Sequence, residues 1–95
     1  MKLVWSKRSR SDLASIRRYI FQRNPQAADR VIDTLLAAAK RLETFPQLGR
    51  PSELSDVRLL KIPRIPYLMP YRVQDDAVEV LAVLHERRER PEEWS

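Results

Sequence analysis

The first part of the chain repeats apolar residues at the spacing of an α-helix. Leu13, Ile16 and Ile20 recur every three or four positions, which predicts a first helix over Lys7–Arg23. Ser6 stands directly before this segment and offers the side-chain oxygen that an N-cap needs.

A second helical pattern begins at Asn24-Pro25, because proline fits the first position of a helix behind an asparagine cap. Its apolar positions share one face and continue to Pro46, where the helix is expected to end: Ala28, Val31, Ile32, Leu35, Ala39, Leu42 and Phe45. The connection between the helices is short enough to require an antiparallel hairpin. We expect its apolar face to cover one face of a sheet.

Three later segments have the length and composition of β-strands: Val57–Ile62, Tyr67–Val73 and Ala77–Leu84. Turn residues separate them, which predicts an antiparallel meander. Lys2–Trp5 alternates polar and apolar residues and is expected to join the same sheet. The predicted fold class is α+β, with one domain over residues 1–95. It consists of an N-terminal strand and an antiparallel helical hairpin packed on a mainly antiparallel four-stranded sheet, in the order β-α-α-β-β-β.

The last of these segments is the most apolar, and we expect one unbroken central strand with both faces covered. Val78 and Val80 would lie on one of its faces and Val83 on the other. Pro70 has no backbone N–H, so it must face away from a partner strand or lie at a bulge. Gly49, the only glycine of the chain, is expected at a turn that needs a positive φ.

Composition limits the kinds of site that the chain can build. It has no cysteine and one histidine, so we expect neither a disulfide nor a metal site, and no other cofactor. No segment reaches the roughly 20 apolar residues of a membrane span. A location in the cytoplasm, without membrane contact, is the expectation.

The net charge of +5 is unevenly distributed. Residues 1–45 contain ten Lys and Arg against four Asp and Glu, which is +6, whereas residues 46–95 contain eight against nine, which is −1. An excess of this kind favours a polyanionic partner, either nucleic acid or an acidic protein.

Several short motifs follow one another in the second half of the chain: Phe45 to Pro51, Arg58 to Pro63, Ile65 to Tyr67, Tyr71 to Val73 and Leu84 to Arg88. Together with Asp12-Leu13, Ile16 and Tyr19-Ile20 of the first helix, they resemble the ParE/RelE superfamily of bacterial toxins. This resemblance implies the toxin half of a type II toxin–antitoxin pair, with a cognate antitoxin as partner. It also implies contact with operator DNA only through the toxin–antitoxin complex.

The two branches of this superfamily share a fold but differ in mechanism. The resemblance implies either poisoning of DNA gyrase, as in the ParE branch, or cutting of messenger RNA on the ribosome, as in the RelE branch. An arginine commonly stands in the RelE branch where this chain has Tyr67, and a tyrosine stands near the position of Trp94. Phe45 to Pro51, Pro66-Tyr67 and His85 to Arg87 look more like the ParE branch. We therefore expect a gyrase inhibitor that is not an enzyme.

The alternative, a ribosome-dependent endoribonuclease, needs a base near the 2′-hydroxyl and cations around the scissile phosphate. The residues that offer these groups are His85, Arg87, Lys61 and Arg58.

A target-binding surface is expected where the last two predicted strands end. Counting back from the turn at Asp75-Asp76 pairs residues near Tyr67 with residues near His85. We expect Tyr67, His85, Arg87 and Arg88 to form this surface. The competing interpretation is a structural histidine followed by a solvated tail whose arginines pair with neighbouring glutamates.

The antitoxin is expected to bind the basic and partly apolar outer surface of the helical hairpin. The residues assigned to this role are Arg17, Arg18, Phe21, Arg30, Leu36 and Arg41. An acidic segment that folds on binding would suit their charge. A solvated basic face and a nucleic-acid site are the two other interpretations of the same residues.

Overall fold

The structure is a computed structural model that describes residues 1–87 of the 95-residue chain. Its elements in chain order are β1 (Lys2–Trp5), α1 (Lys7–Arg23), α2 (Pro25–Arg41), β2 (Arg50–Pro51), β3 (Val57–Lys61), β4 (Tyr67–Gln74), β5 (Ala77–Val80) and β6 (Leu84–His85). The predicted α+β class and the helical hairpin are confirmed. Neither helix of residues 1–87 is long and apolar enough to cross a membrane.

The caps of both helices are those that the sequence predicts. Ser6 Oγ accepts the Ser9 N–H at 3.0 Å, and Asn24 Oδ1 accepts the Ala27 N–H at 3.2 Å. Each bond satisfies a donor that has no partner inside its own helix. Pro25 then occupies the first position of α2.

The end of α2 differs from the prediction, because the helix stops at Arg41 rather than at Pro46. Leu42 and Thr44 donate to carbonyls three residues back, at Ala39 and Arg41, which tightens the chain relative to an α-helix. The tighter turn carries Phe45 away from the apolar face. Its side chain is 55% exposed, so its predicted burial is wrong.

The sheet has the strand order β1-β5-β4-β3-β2, with β6 paired to β4 beyond the end of β5. β1 runs parallel to β5, and all the other pairs are antiparallel. The structure therefore adds the two-residue β2 to the four predicted strands and divides the last one in two. The predicted mainly antiparallel arrangement holds.

A bulge causes that division. Tyr71 of β4 pairs with Val80, and Leu68 pairs with Leu84, so residues 81–83 lie opposite only residues 69–70. Leu81 N–H donates to Pro70 O at 2.9 Å, but Pro70 has no N–H to return to Leu81 O. Pro70 thus lies at a bulge, which is one of the two positions predicted for it.

The extra residue reverses the alternation of side chains after Val80. Val83 consequently joins Val78 and Val80 in the core between the sheet and the helices, instead of facing away as predicted. The same reversal turns His85 toward α1, since His85 follows Val83 by two positions.

The core lies between the hairpin and one face of the sheet. Leu35, Ala39 and Leu42 of the second helical segment are fully buried there against Met69 and Tyr71 of β4. The predicted burial of Leu35 and Leu42 is confirmed.

Gly49 is required for a different reason from the predicted one. No glycine has a positive φ, whereas Asp56, Arg64, Asp75 and Asp76 do. A Cβ on Gly49 would lie 2.6 Å from Tyr71 Cε1 and 2.9 Å from Leu59 O. Close packing against the Tyr71 ring, rather than backbone conformation, therefore explains this glycine.

Candidate functional site

Tyr67 and His85 form a cross-strand pair at one end of the sheet, so the two residues lie together as counting from the turn predicts to within one position. Their ring centroids are 5.6 Å apart and their planes meet at 81°, an edge-to-face contact. Tyr67 is buried and belongs to the core, while His85 is half-buried. The pair therefore extends the packed core to the protein surface.

The histidine is held by the chain that follows it. Arg87 N–H donates to His85 Nδ1 at 3.2 Å, so in this geometry the proton of the neutral ring is on Nε2. The Arg87 side chain is exposed beside the pair. Arg88, the fourth predicted member of the surface, lies outside the described residues.

A groove of about 520 Å³ separates this pair from the helices. We call it the α1 groove. Its lining residues are Asp12, Ser15, Ile16, Tyr19, Ile20, Val31, Ile65, Pro66, Tyr67, Val83 and His85. The walls are largely apolar, and the polar groups of Asp12, Tyr19 and His85 lie around them, which is a common composition for a binding site.

Helix α1 fixes the bulge that leads to His85. Ser6 Oγ donates to Leu81 O at 2.9 Å and so supplies the hydrogen that Pro70 cannot. Asp12 Oδ2 accepts the Val83 N–H at 2.9 Å. The Arg8 guanidinium holds the same carboxylate through Nε, at 3.0 and 3.1 Å.

Ser6 and Asp12 thus position the aromatic pair, although the sequence assigned neither to the site. The sequence does contain a signal for Asp12, because this hydrogen-bond acceptor lies one helical turn before Ile16, at the border of the apolar stripe of α1. Its partner is 71 residues away and becomes visible only in the fold.

The residues proposed for RNA cleavage do not converge. Lys61 alternates with Leu60 and Ile62, which lie in the core, so it points to the opposite face of the sheet from His85. There its Nζ is 4.0 Å from Glu86 Oε1. Arg58 Nη1 donates to Gly49 O at 2.7 Å, near the other end of β3. Of the other three candidates, only Arg87 lies next to His85.

Tyr71 anchors the loop before β2. Its hydroxyl donates to Pro46 O and accepts the Gly49 N–H, at 2.7 and 2.8 Å. Burial raises the pKa of the Tyr71 phenol above its usual value, and the Gly49 amide and the Arg58 charge oppose this rise. The predicted core role of Tyr71 agrees with this geometry.

The residues predicted for antitoxin binding are spread over the hairpin. Arg17, Arg18 and Phe21 surround one depression with Ala14, and Phe21 is 53% exposed there. Arg17 is paired with Asp29 at 3.0 Å. Arg41 lies beside other depressions, at the C-terminal end of α2. Leu36 and Arg30 are exposed on α2 between them.

Comparison with known proteins agrees with this architecture. The family described as the ParE toxin of the type II toxin-antitoxin system, parDE, matches residues 3–90. The putative toxin Y4kP of Sinorhizobium fredii is 35% identical over 91 residues, which cover 96% of this chain and 94% of that protein. This chain belongs to the ParE toxin family.

Other relatives of this ParE-family chain carry the name of the second branch. Toxin RelE2 of Caulobacter vibrioides is 36% identical over 87 residues, covering 92% of this chain and 97% of that protein. A solved structure described as the chromosomal ParDE TA system from P. aeruginosa superposes with a TM-score of 0.82 at 27% identity. The superposition covers 90% of this chain and 95% of that one. The chain is therefore a type II toxin, and the names of its relatives span both branches.

Within residues 1–87, no three His, Cys, Asp or Glu side chains are grouped as a metal ion would require.

Proposed function

We propose that this ParE-family toxin inhibits growth in the cytoplasm by binding and poisoning DNA gyrase. The target would contact the open side of the α1 groove, at Tyr67, His85 and Arg87, together with Arg88 of the following segment. An aromatic pair with an adjacent arginine is the kind of side-chain set that supplies much of the energy of protein interfaces.

The observation that carries this proposal is the separation of the nuclease candidates. Acid–base cleavage needs its groups within hydrogen-bond reach of one scissile phosphate, whereas Lys61 and His85 lie on opposite faces of the sheet. His85 also packs edge-on against Tyr67 and accepts a hydrogen bond from its own chain. A surface that acts by contact does not need converging catalytic groups, and it needs only side chains that are held in a fixed arrangement.

Two assays with the same purified protein separate the two functions. One adds it to gyrase supercoiling reactions, and the other adds it to ribosomes translating a labelled message. We expect loss of supercoiling with an intact message. Cuts aligned with codons, together with normal supercoiling, would contradict the proposal.

Message cleavage remains the second candidate because relatives are named RelE toxins and because Arg87 lies beside His85. The variant His85→Gln distinguishes the two, since it removes the imidazole that a nuclease would use for proton transfer but keeps a polar side chain of similar reach. An inhibitor that works by contact should be weakened but should keep part of its effect on supercoiling, because Tyr67 and Arg87 remain. A nuclease that uses His85 should lose cleavage while its fold persists.

A cognate acidic antitoxin would hold the toxin silent, and operator DNA would be contacted only by the toxin–antitoxin complex. The excess of +6 on residues 1–45 supports an acidic ligand for the hairpin face, which consists of Arg17, Arg18, Phe21, Arg30, Leu36 and Arg41. Charge reversal of its four arginines should slow association with the antitoxin and leave gyrase inhibition intact. If inhibition disappears while antitoxin binding persists, this face belongs to the target site.

A further inference from the structure

The α1 groove has two sides of different character. The side formed by the strands includes Tyr67, Val83 and His85, and it borders the site proposed for the target. The opposite side, which we call the helix wall, consists of one stripe of α1 and one residue of α2: Asp12, Ser15, Ile16, Tyr19, Ile20 and Val31. Its aliphatic side chains are only half-buried, so the helix wall offers apolar surface to a ligand.

Positive charge surrounds the helix wall. Helix α1 contains six Lys and Arg residues against one carboxylate, that of Asp12. Arg8 lies one turn before Asp12, bonded to it through Nε at 3.0 Å, and its side chain is still 41% exposed. At the other end of the wall, the Arg23 guanidinium lies 3.9 Å from the centroid of the Tyr19 ring. An apolar ligand that also carries carboxylates therefore suits this wall.

The chain itself contains a segment of this composition directly after the described residues. Residues 88–95 read Arg-Glu-Arg-Pro-Glu-Glu-Trp-Ser. Trp94 is the only large apolar residue of this segment, and Glu92 and Glu93 stand directly before it. An aromatic side chain of this size buries about 150–250 Å² when it packs against apolar groups. Trp94 is therefore the residue of the segment that would gain most from contact with the helix wall.

The segment begins beside the groove and is long enough to enter it. Arg87 follows His85 by two positions, and its N–H donates to His85 Nδ1 at 3.2 Å. The stretch from Arg87 to Trp94 spans at most roughly 25 Å. From Asp12 to Ile20 the helix wall extends about 12 Å along the axis of α1. The available length of chain therefore covers the whole wall.

Tethering favours this occupant over an external one. A group that is attached through a short linker has an effective concentration on the order of millimolar at a site within its reach. An external apolar ligand of the helix wall would have to compete with that concentration. The charges of the segment are also suitably arranged, because its glutamates adjoin Trp94 and its arginines lie nearer to Arg87.

We propose that the segment 88–95 binds the helix wall, with the Trp94 indole packed against Ile16 and Ile20. The two glutamates before Trp94 would face the cations at the ends of the wall. A segment held at Trp94 has less conformational freedom at Arg88, so it presents this arginine to the target on the strand side of the groove. Trp94 is thus a positioning residue for the target site, and in this respect the inference rests on the proposed function.

Nuclear Overhauser contacts in the 95-residue protein test the binding directly. We expect contacts between the Trp94 indole and the methyl groups of Ile16 and Ile20. Trp5, the other tryptophan of the chain, packs against the core from β1 and serves as the internal reference. If Trp5 shows its core contacts and Trp94 shows none with the helix wall, the proposal is wrong.

A mixture of labelled and unlabelled protein identifies the molecule that supplies the indole. Contacts within one molecule are independent of protein concentration and are absent between a labelled and an unlabelled copy. Contacts that pass between copies would make a second copy of the chain the occupant, and this result would also overturn the proposal.

Three variants distinguish an anchor from a general effect of mutation. Trp94→Ala should shift the amide signals of Ile16 and Tyr19 and weaken gyrase inhibition about fivefold, because the segment loses its anchor. Trp94→Phe keeps an aromatic ring and should recover most of both properties. Ser95→Ala, the neighbouring control, should change neither.

The proposal is overturned if Ser95→Ala shifts the same amides as Trp94→Ala, or if a folded Trp94→Ala variant inhibits gyrase as well as the wild-type protein. The proposed function fails in a different way. If the Trp94 contacts are present and wild-type protein leaves supercoiling unaffected, the segment binds the helix wall and the toxin has another target.

Discussion

The α1 groove and a second depression, between the C-terminal end of α2 and β3, have no lining residue in common and use their polar groups differently. We call the second depression, of about 310 Å³, the loop pocket. Around the α1 groove, Ser6 and Asp12 are occupied by backbone groups of the bulge, and Arg8 is occupied by Asp12. Around the loop pocket, Tyr71 and Arg58 hold the wall, while Arg41 and Arg50 have no carboxylate partner within residues 1–87. The bonded polar groups fix the shape of the α1 groove, whereas the arginines of the loop pocket are available to bind an anionic ligand. This difference is why we assign the α1 groove, whose shape is fixed by these bonds, to a target that recognises shape.

The largest effect on stability is expected from a substitution in the core. Leu35 of α2 is fully buried between the hairpin and the sheet, so Leu35→Ala should lower the free energy of unfolding by about 2–5 kcal/mol. Urea denaturation measures it, and Leu36→Ala is the control. Leu36 is 41% exposed, so its loss should change stability by no more than about 0.5 kcal/mol. Equal costs for the two variants would show that the core is placed wrongly.

Gly49→Ala should damage the loop pocket selectively. The added methyl group would meet the Tyr71 ring and the Leu59 carbonyl, and overpacking of this kind costs about 1–3 kcal/mol. Denaturation gives the cost, and amide spectra should show changes around Gly49 with the signals of the α1 groove retained. Gln47→Ala, in the same loop but exposed, is the neighbouring control. A neutral Gly49→Ala would refute the close contact.

Tyr71→Phe tests the same wall by removing one oxygen. The buried Gly49 N–H then loses its acceptor, which should cost about 1–3 kcal/mol at neutral pH. Because burial raises the pKa of the Tyr71 phenol above 10.0, folding favours its protonated form. This contribution is complete below pH 10.0 and is lost as the pH rises through the raised value. Stability curves against pH should therefore converge in alkali, and parallel curves would contradict this assignment.

Asp12→Ala should have a smaller effect, and one confined to the α1 groove. It leaves the Val83 N–H without its acceptor, at a cost of about 1 kcal/mol or somewhat more. Asp12→Asn keeps an acceptor oxygen and should recover part of the loss. Hydrogen exchange at Val83 should accelerate in the alanine variant and less in the asparagine variant. If the Val83 amide exchanges at the wild-type rate in both variants, Asp12 does not stabilise the bulge.

Local patterns in the sequence are sufficient for much of the fold. Helix α1, its Ser6 cap and the Asn24-Pro25 junction depend on neighbouring residues, and the structure has them where the pattern places them. Counting from the Asp75-Asp76 turn also brings Tyr67 close to His85. The count alone pairs Tyr67 with Leu84, and the one extra residue of the bulge moves its partner to His85.

Features that depend on distant contacts were not predictable in the same way. Pro70 indicates a possible bulge, but the hydroxyl that completes it comes from Ser6, across most of the chain. The side to which His85 turns follows from that bulge, and so does the burial of Val83 against the helices. Gly49 has an ordinary negative φ, so its role depends entirely on the nearby Tyr71 ring.

Gyrase supercoiling measured against toxin concentration tests the central claim most directly, with wild-type protein, Arg87→Glu and the charge-matched control Arg10→Glu. Arg87 is exposed beside the Tyr67–His85 pair, whereas Arg10 is exposed on α1 and does not line the α1 groove. The wild-type protein and the control should stop supercoiling at the same concentration, and Arg87→Glu should require at least about tenfold more, or ~1.4 kcal/mol of binding. Supercoiling that continues with folded wild-type protein, or an Arg87→Glu variant as potent as the control, would contradict the account.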